Sequence, residues 1–147
     1  LDSENMKFEI NIQTLDETSN LAKQIATQIK EGDIVCLKGD LGAGKTYFAG
    51  KLIQELLNIN TPITSPTFQL LQTYENIHHY DLYRLKSPDE AYELGIEDSL
   101  DGTKIVIIEW PEIIRHILPK AIIDIEIIIE GNVRKYFIED RVGRLDL

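Results

Sequence analysis

The sequence predicts an α/β domain of three layers, with a mixed, partly parallel sheet and a C-terminal β-hairpin. Short β-branched apolar runs alternate with segments whose apolar residues recur at helical spacing, which is typical of helices layered on a sheet. The strand pairs near the middle and the C-terminus have connections short enough only for antiparallel partners. We assign residues 1–147 to a single domain, because a chain of 147 residues can bury about two thirds of its unfolded surface in one core.

The composition narrows the class of function. The formal net charge is −10, from 25 acidic and 15 basic residues. This charge argues against a main role in binding a nucleic-acid backbone, which needs clustered basic residues. The single cysteine, Cys36, cannot form an internal disulfide and lies in an apolar run, which indicates a buried small side chain. We therefore expect a cytoplasmic protein, and no apolar stretch reaches the ~20 residues of a membrane helix.

We expect residues 1–5 to be additional residues ahead of a natural start at Met6.

The first part of the chain predicts a strand, a helix, a second strand, a glycine-rich loop and a second helix. Alternating apolar residues indicate a strand over residues 7–12, and an apolar stripe with a four-residue period indicates a helix that ends near Gly32. The β-branched run 34–37 is too short for a buried helix and is predicted as a strand. Apolar residues at helical spacing predict an amphipathic helix over residues 45–57.

The remainder of the chain predicts two hairpins, a short helix and a strand covered on both sides. The helix begins at Ser87 as its N-cap, has Pro88 in its first position and stops at Gly95. Residues 104–109 are apolar on both faces, as in a strand that is covered by other layers. The predicted strands of this part are 68–74, 77–83, 104–109, 122–129 and 133–139.

A glycine-rich stretch, GDLGAGKT at residues 39–46, fits the pattern G-x-x-x-x-G-K-[ST]. It lies between a predicted strand and a predicted helix, where successive backbone N–H groups can converge on a phosphate. This context predicts a P-loop NTPase-like domain, in which Lys45 reaches the β- and γ-phosphates and the Thr46 hydroxyl ligates magnesium. The alternative is a glycine turn that opens a helix, with Lys45 simply solvated.

A magnesium ion between phosphates needs a carboxylate at the end of a neighbouring strand, and the sequence offers two candidates. Glu109 ends an apolar strand and could also polarise the attacking water; an ordinary strand-ending glutamate is the alternative. In residues 78–84, HHYDLYR, strand alternation places His79 and Asp81 on one face, which makes Asp81 the second candidate. An exposed edge strand is an equally good interpretation of this segment. A metal cage of His78 and His79 is not expected, because adjacent residues point to opposite faces.

Five motifs follow one another along the chain: GDLGAGKT at 39–46, SPTF at 65–68, HHYDLYRL at 78–85, ELGIED at 93–98 and IEWPE at 108–112. This ordered set resembles the TsaE (YjeE) family, the small bacterial ATPases of tRNA threonylcarbamoyladenosine (t6A) biosynthesis. The resemblance covers most of the chain, from about residue 18 to residue 119. One position departs from the family pattern, since Tyr47 stands where the family typically has a second threonine. We expect no loss of function from it, because the metal ligand is the first threonine, Thr46.

The resemblance implies ATP and Mg2+ as ligands, with Lys45, Glu109 and Asp81 as catalytic residues. It places the metal at Thr46, Glu109 and Asp81. It also implies a switch-like role for Ser65 and Thr67, although the residues alone favour a plain turn there, and a position for Trp110 near the nucleotide or a partner surface. The nucleotide-binding residues that it implies are Asp40, Leu41, Gly42, Ala43, Gly44, Lys45, Thr46, Tyr47, Ser65, Thr67 and Trp110.

The resemblance further implies two larger protein partners, the threonylcarbamoyl transferase TsaD and its paralogue TsaB. ATP hydrolysis to ADP by the small protein would reset their complex between turnovers. The tRNA would be held chiefly by the partners, which agrees with the net charge of −10. No association with a membrane is expected.

Three other functions stay open at this point. A small P-loop kinase that phosphorylates a small molecule or a nucleotide usually needs an arginine-rich lid, whereas the arginines here are few and scattered. A GTP-dependent switch normally carries an Asn-Lys-x-Asp motif that recognises the guanine base, and the sequence lacks this motif. A protein that binds nucleotide without turnover is opposed only weakly by the presence of Glu109 and Asp81.

Overall fold

The computed structural model describes residues 5–63 and 70–147. The strands in these ranges are β1 (Met6–Ile12), β2 (Ile34–Lys38), β3 (Leu71–Tyr74), β4 (Ile77–Asp81), β5 (Ile105–Glu109), β6 (Ile123–Glu130) and β7 (Val133–Asp140). The helices are α1 (Leu15–Ala26), α2 (Lys45–Leu57), α3 (Pro88–Glu93) and α4 (Ile96–Ser99), and a 3-10 helix spans Pro111–Ile117. Within the two described ranges, none of the helices has the length and apolar character needed to cross a bilayer.

The strands form one sheet in the order β1-β7-β6-β2-β5-β4-β3. Strand β2 lies in the middle and is parallel to both β5 and β6, and β5 is parallel to β4. The hairpins β3–β4 and β6–β7 and the pair β1–β7 are antiparallel. These pairings confirm the predicted mixed sheet and C-terminal hairpin. Because β2, β4 and β5 run in one direction, their carboxyl ends meet at the same edge of the sheet.

Alternate side chains of the central strand belong to two separate hydrophobic cores, one on each face of the sheet. Val35 and Leu37 pack with residues of α1 and α2, whereas Ile34 and Cys36 pack with residues of α3, α4 and the 3-10 helix. The helical residues of the first core include Leu21, Ile25, Phe48 and Leu52, and those of the second include Ala91, Ile96 and Ile114. This arrangement confirms the three predicted layers.

Helix α1 differs from its prediction at its C-terminal end. The expectation that it ends near Gly32 is wrong, because the helix stops at Ala26. The Thr27 hydroxyl donates to the carbonyl oxygen of Gln24 at 2.8 Å, and the chain then turns. Ile29 is still buried after this turn, 7% exposed. The apolar spacing therefore continues beyond the helix, since a turn can bury Ile29 as well as a helix can.

Some other boundaries also differ from those predicted. Strand β4 ends at Asp81, two residues before the predicted end. Ser87 does precede the first residue of α3, but it makes no capping hydrogen bond through its side chain to any described residue. Neither α4 nor the 3-10 helix was predicted, because such short helices contain too few apolar repeats. The predicted strand 68–74 is described only from Leu70 onward, and β3 begins at Leu71.

Cys36 lies in the centre of β2 with 0% of its surface exposed, which confirms its expected burial. Burial raises the pKa of the thiol to about 12 from an ordinary value of 9.0, and the negative charge of Asp124 adds to the shift. We therefore expect the native chain to react with a thiol reagent near pH 8 at least about 100-fold more slowly than the denatured chain. The measurement is the rate of alkylation with and without denaturant. Complete labelling of the native chain at the denatured rate would contradict this expectation.

Candidate functional site

The loop between β2 and α2, residues 39–44, leads directly into the N-terminus of α2. Gly44 is the N-cap at φ 107°, and no side chain of a described residue caps the helix there. The first turn of α2 also lacks an acidic residue, whereas α1 and α3 each carry two. Uncapped amides and the helix dipole together attract an anion to such an end. Gly39 is required sterically, because a Cβ atom at this position would lie 2.7 Å from the Ile127 carbonyl oxygen.

Lys45 folds its side chain back over this loop. Its Nζ donates to the carbonyl oxygens of Gly39 at 2.5 Å and of Asp40 at 2.9 Å, and it lies 4.1 Å from the centroid of the Trp110 ring. Burial lowers the pKa of the Lys45 ammonium, and the negative charge of Glu109 opposes that shift. The positive charge of Lys45 is therefore fixed at the loop by contacts on several sides.

Glu109 connects the end of β5 to the start of α2. The Thr46 hydroxyl donates to Glu109 Oε1 at 2.8 Å, and His79 Nε2 lies 2.7 Å from Glu109 Oε2. Glu109 and His79 are each 1% exposed. The sequence analysis did not assign His79 to the site. The signal that could have found it was strand alternation, which places His79 on the same face as Asp81.

Asp81 ends β4 and is the register partner of Glu109 on the neighbouring strand β5. Its Oδ1 accepts a hydrogen bond from the Tyr83 amide at 3.2 Å. Burial raises the pKa of the Asp81 carboxyl, and the negative charge of Glu109 raises it further. The structure thus brings both predicted carboxylates to the carboxyl ends of adjacent parallel strands, where like charges oppose each other's ionisation and a cation would relieve them.

A cavity of about 240 Å³ opens beside these groups. Every lining residue except Tyr83 belongs to the predicted site. The lining consists of Leu41, Gly42, Gly44, Lys45, Thr46, Tyr47, Asp81, Tyr83, Glu109 and Trp110.

Of the predicted nucleotide-binding residues that the structure describes, two do not line this cavity. Asp40 and Ala43 line a different cavity, of about 270 Å³, together with Gly39 and part of β6. Asp40 still contributes its carbonyl oxygen to Lys45. Ser65 and Thr67 lie outside the described residues, so their switch-like role stays a prediction.

Trp110 follows Glu109 in an unusual backbone conformation, with φ at 60°. Its amide donates to the Leu37 carbonyl oxygen at 3.2 Å, which ties the end of β5 to the end of β2. Its ring lies 4.9 Å from that of Tyr83, measured between centroids. The Trp110 ring therefore contacts both the Lys45 ammonium and the Tyr83 ring.

Arg134 brings the C-terminal hairpin into contact with the loop. Its Nε donates to the Ala43 carbonyl oxygen at 2.9 Å, although the two residues are 91 positions apart. A Cβ atom at Gly44 would lie 3.6 Å from the same nitrogen. The sequence analysis assigned no site to this hairpin, and no local pattern could have indicated so distant a contact.

The oxygen atoms around the cavity suit a magnesium ion that is bound together with a phosphate. Within residues 5–63 and 70–147, no three histidine, cysteine or acidic side chains converge into a complete protein cage for a metal. Thr46, Glu109 and Asp81 instead offer one hydroxyl and two carboxylates beside one cavity. Magnesium typically combines one or two carboxylates with water and substrate phosphates, so this donor set fits it.

Comparison with known proteins gives consistent matches. Residues 12–136 match a family model described as threonylcarbamoyl adenosine biosynthesis protein TsaE. The chain is 51% identical over 124 residues to a tRNA threonylcarbamoyladenosine biosynthesis protein TsaE of Rickettsia felis, which covers 81% of this chain and 72% of that protein. It is 35% identical over 132 residues to the protein of the same name from Bacillus subtilis. That match covers 87% of this chain and 82% of the Bacillus protein. A crystal structure of Bacillus subtilis YdiB matches this chain with a TM-score of 0.74 and 27% sequence identity. The match covers 92% of this chain and 86% of the YdiB chain, and it confirms the P-loop-type fold.

Proposed function

The chain belongs to the TsaE family of threonylcarbamoyl adenosine biosynthesis proteins, and on this premise we propose that it is a magnesium-dependent ATPase of tRNA t6A biosynthesis. It binds ATP in the cavity beside residues 39–46, hydrolyses it weakly when alone and couples hydrolysis to the turnover of a TsaB–TsaD-type complex. The observation that carries the proposal is the Thr46–Glu109 hydrogen bond of 2.8 Å. It joins the N-terminus of α2 to a buried carboxylate at the end of the neighbouring strand.

Each group at the site has a separate task in the proposed reaction. The backbone amides at the start of α2 and the Lys45 ammonium bind the polyphosphate. Thr46, Glu109 and Asp81 would hold magnesium, which when bound neutralises phosphate charge and aligns the phosphates. Glu109 also accepts a hydrogen bond from the attacking water and so orients it toward the phosphorus. Trp110 covers one side of Lys45 and limits the access of bulk water to the ammonium.

The dependence on partners is proposed from the mouth of the cavity. Leu41 is 65% exposed, Tyr83 48% and Tyr47 39%, and all three line the cavity. Exposed apolar side chains that cluster around a site are typical of a surface that another protein covers. Covering the cavity would exclude water and strengthen the electrostatic interactions within it, so a partner can change the rate of hydrolysis.

The arginines offer little for the lid that a kinase needs, because three of the five are paired elsewhere. Three of them form ion pairs with carboxylates that do not line the cavity. These pairs are Arg115 with Asp124, Arg141 with Glu139 and Arg144 with Asp33. An arginine that is held by such a pair is not available to close over a transferred phosphate.

The experiment that tests the proposal is a phosphate-release assay on the chain alone and with purified TsaB and TsaD. We expect slow, magnesium-dependent release from ATP by the chain alone and a change of at least about tenfold when both partners are present. GTP in place of ATP and chelation of magnesium serve as controls, and both are expected to reduce the signal. Rapid phosphate transfer to a small acceptor, independent of the partners, would instead support the kinase.

A further inference from the structure

His79 is a buried polar side chain whose two ring nitrogens have different surroundings. Nε2 lies 2.7 Å from Glu109 Oε2, whereas Nδ1 has no hydrogen-bond partner among the described residues. An ionised carboxylate can only accept hydrogen bonds, so the Nε2 atom that faces it carries a hydrogen. A buried ring nitrogen that finds no partner among the described residues costs free energy, which an apolar side chain of similar size would avoid. The presence of a histidine here therefore needs a reason that lies in its Nε2–H group.

That reason lies in the two oxygens of Glu109. Thr46 donates to Oε1 and His79 donates to Oε2, so the carboxylate is fixed by one donor on each oxygen. Lys45 and Glu109 line the same cavity, and an ammonium attracts a carboxylate that is free to rotate. If Oε2 lost its donor, the carboxylate could rotate toward the Lys45 ammonium and leave Thr46. A second donor on Oε2 prevents this collapse.

We propose that His79 is a positioning residue, whose Nε2–H holds the Glu109 carboxylate toward Thr46 and the adjoining cavity. Its place in the fold suits this task, because His79 lies on β4 opposite Ile107 of β5, two residues before Glu109. The inference rests on the proposed function, in which Glu109 acts on the nucleotide and its water. His79 itself touches neither, and it acts entirely through Glu109.

The first test compares variants that keep, misplace or remove the donor. In His79→Gln the side-chain amide reaches the Nε2 position, and in His79→Asn it reaches only the Nδ1 position. In His79→Leu the donor is lost at similar volume. We expect kcat for ATP hydrolysis, with partners present, to stay within about fivefold in the glutamine variant and to fall at least about 30-fold in the other two. The Kd for ATP should change less than about threefold in all of them, because His79 contacts no phosphate-binding group.

His78→Gln is the matched control. His78 is the neighbour on the same strand, but its Nδ1 pairs with Ser99 Oγ at 2.6 Å on the opposite face of the sheet. We expect this variant to hydrolyse ATP at the rate of the natural chain. A thermal melt of each variant checks its folding, and the comparison of glutamine with asparagine remains informative if the leucine variant does not fold.

Two further measurements separate positioning from a general structural role. In a double-mutant cycle, His79→Leu should add almost nothing to the loss caused by Glu109→Ala, because both changes act through the same carboxylate. Without any nucleotide, 15N-histidine NMR should show the Nε2–H tautomer for the resonance of His79, one of the three histidines. That resonance should be absent in His79→Gln and shifted in Glu109→Ala.

The outcomes are distinguishable. An Nδ1–H tautomer, or a His79→Leu variant that hydrolyses ATP as fast as the natural chain, would overturn the His79 inference alone. Full additivity in the cycle would overturn it as well. A natural chain that hydrolyses no ATP with or without partners would overturn the proposed function, and the role of His79 with it.

Discussion

Lys45→Ala is expected to weaken the binding of ATP by at least about 100-fold, because it removes the charge-assisted hydrogen bonds that an ammonium makes to phosphate oxygens. The structure adds a second reason. Lys45 Nζ also holds the carbonyl oxygens of Gly39 and Asp40, so its loss releases the loop that presents the amides. Isothermal titration of the chain with ATP and magnesium measures the effect.

The control for this change is Lys23→Ala. Lys23 is an exposed lysine in the last turn of α1 and lies outside the site, so its removal subtracts the same charge without touching the loop. We expect the Kd for ATP to stay within about twofold in the control, since exposed charges at a distance are screened by salt. If Lys45→Ala bound ATP as tightly as Lys23→Ala, the cavity beside residues 39–46 would not be the nucleotide site.

Glu109→Ala is expected to lower kcat by about 100- to 1,000-fold while changing the Kd for ATP by less than about fivefold. The carboxylate is proposed to orient water and to support magnesium, whereas the phosphates are held mainly by the loop amides and Lys45. Loss of the carboxylate therefore affects the transition state more than the bound ground state. Single-turnover hydrolysis together with equilibrium titration separates the two effects.

Glu112→Ala is the matched control for this second change. Glu112 lies three residues further on, in the 3-10 helix, and is exposed to solvent. Its removal should leave kcat within about twofold of the natural value, as is usual for an exposed charge. Normal hydrolysis by Glu109→Ala would show that the role assigned to this carboxylate is wrong, and Asp81 would then be the carboxylate to test.

What the sequence could predict depends on how local the determining interactions are. The bounds of α2 were predicted correctly, because the glycine before it and the apolar stripe along it lie within one short segment. The position of Glu109 at the end of β5 was also predicted correctly, because the five residues IVIIE show a run of apolar residues that ends at a carboxylate. The C-terminal end of α1 was wrong because a turn and a helix can both bury Ile29.

The contacts that the sequence analysis missed depend on how distant segments pair. The His79–Glu109 hydrogen bond exists because β4 and β5 are parallel neighbours in one particular register. A shift of that register by one residue would turn His79 to the other face of the sheet. The Arg134–Ala43 hydrogen bond likewise depends on the position of β7 beside β6 and β1. Strand alternation places His79 on the face of Asp81, but no local stretch of residues shows which strand lies beside β4, or that Arg134 reaches Ala43.

The pairing of β1 with β7 affects how the chain can fold during its synthesis on the ribosome. Within the part of the chain that the structure describes, β1 has β7 as its sole sheet neighbour. Strand β1 must therefore wait for residues 133–140 to emerge from the ribosome before it can pair. Arg134, the residue that ties down the Ala43 carbonyl, emerges with the same late segment. A nascent chain that stalls before this point has both an unpaired β1 and a loop without its Arg134 contact, so one segment completes the edge of the sheet and the support of the loop.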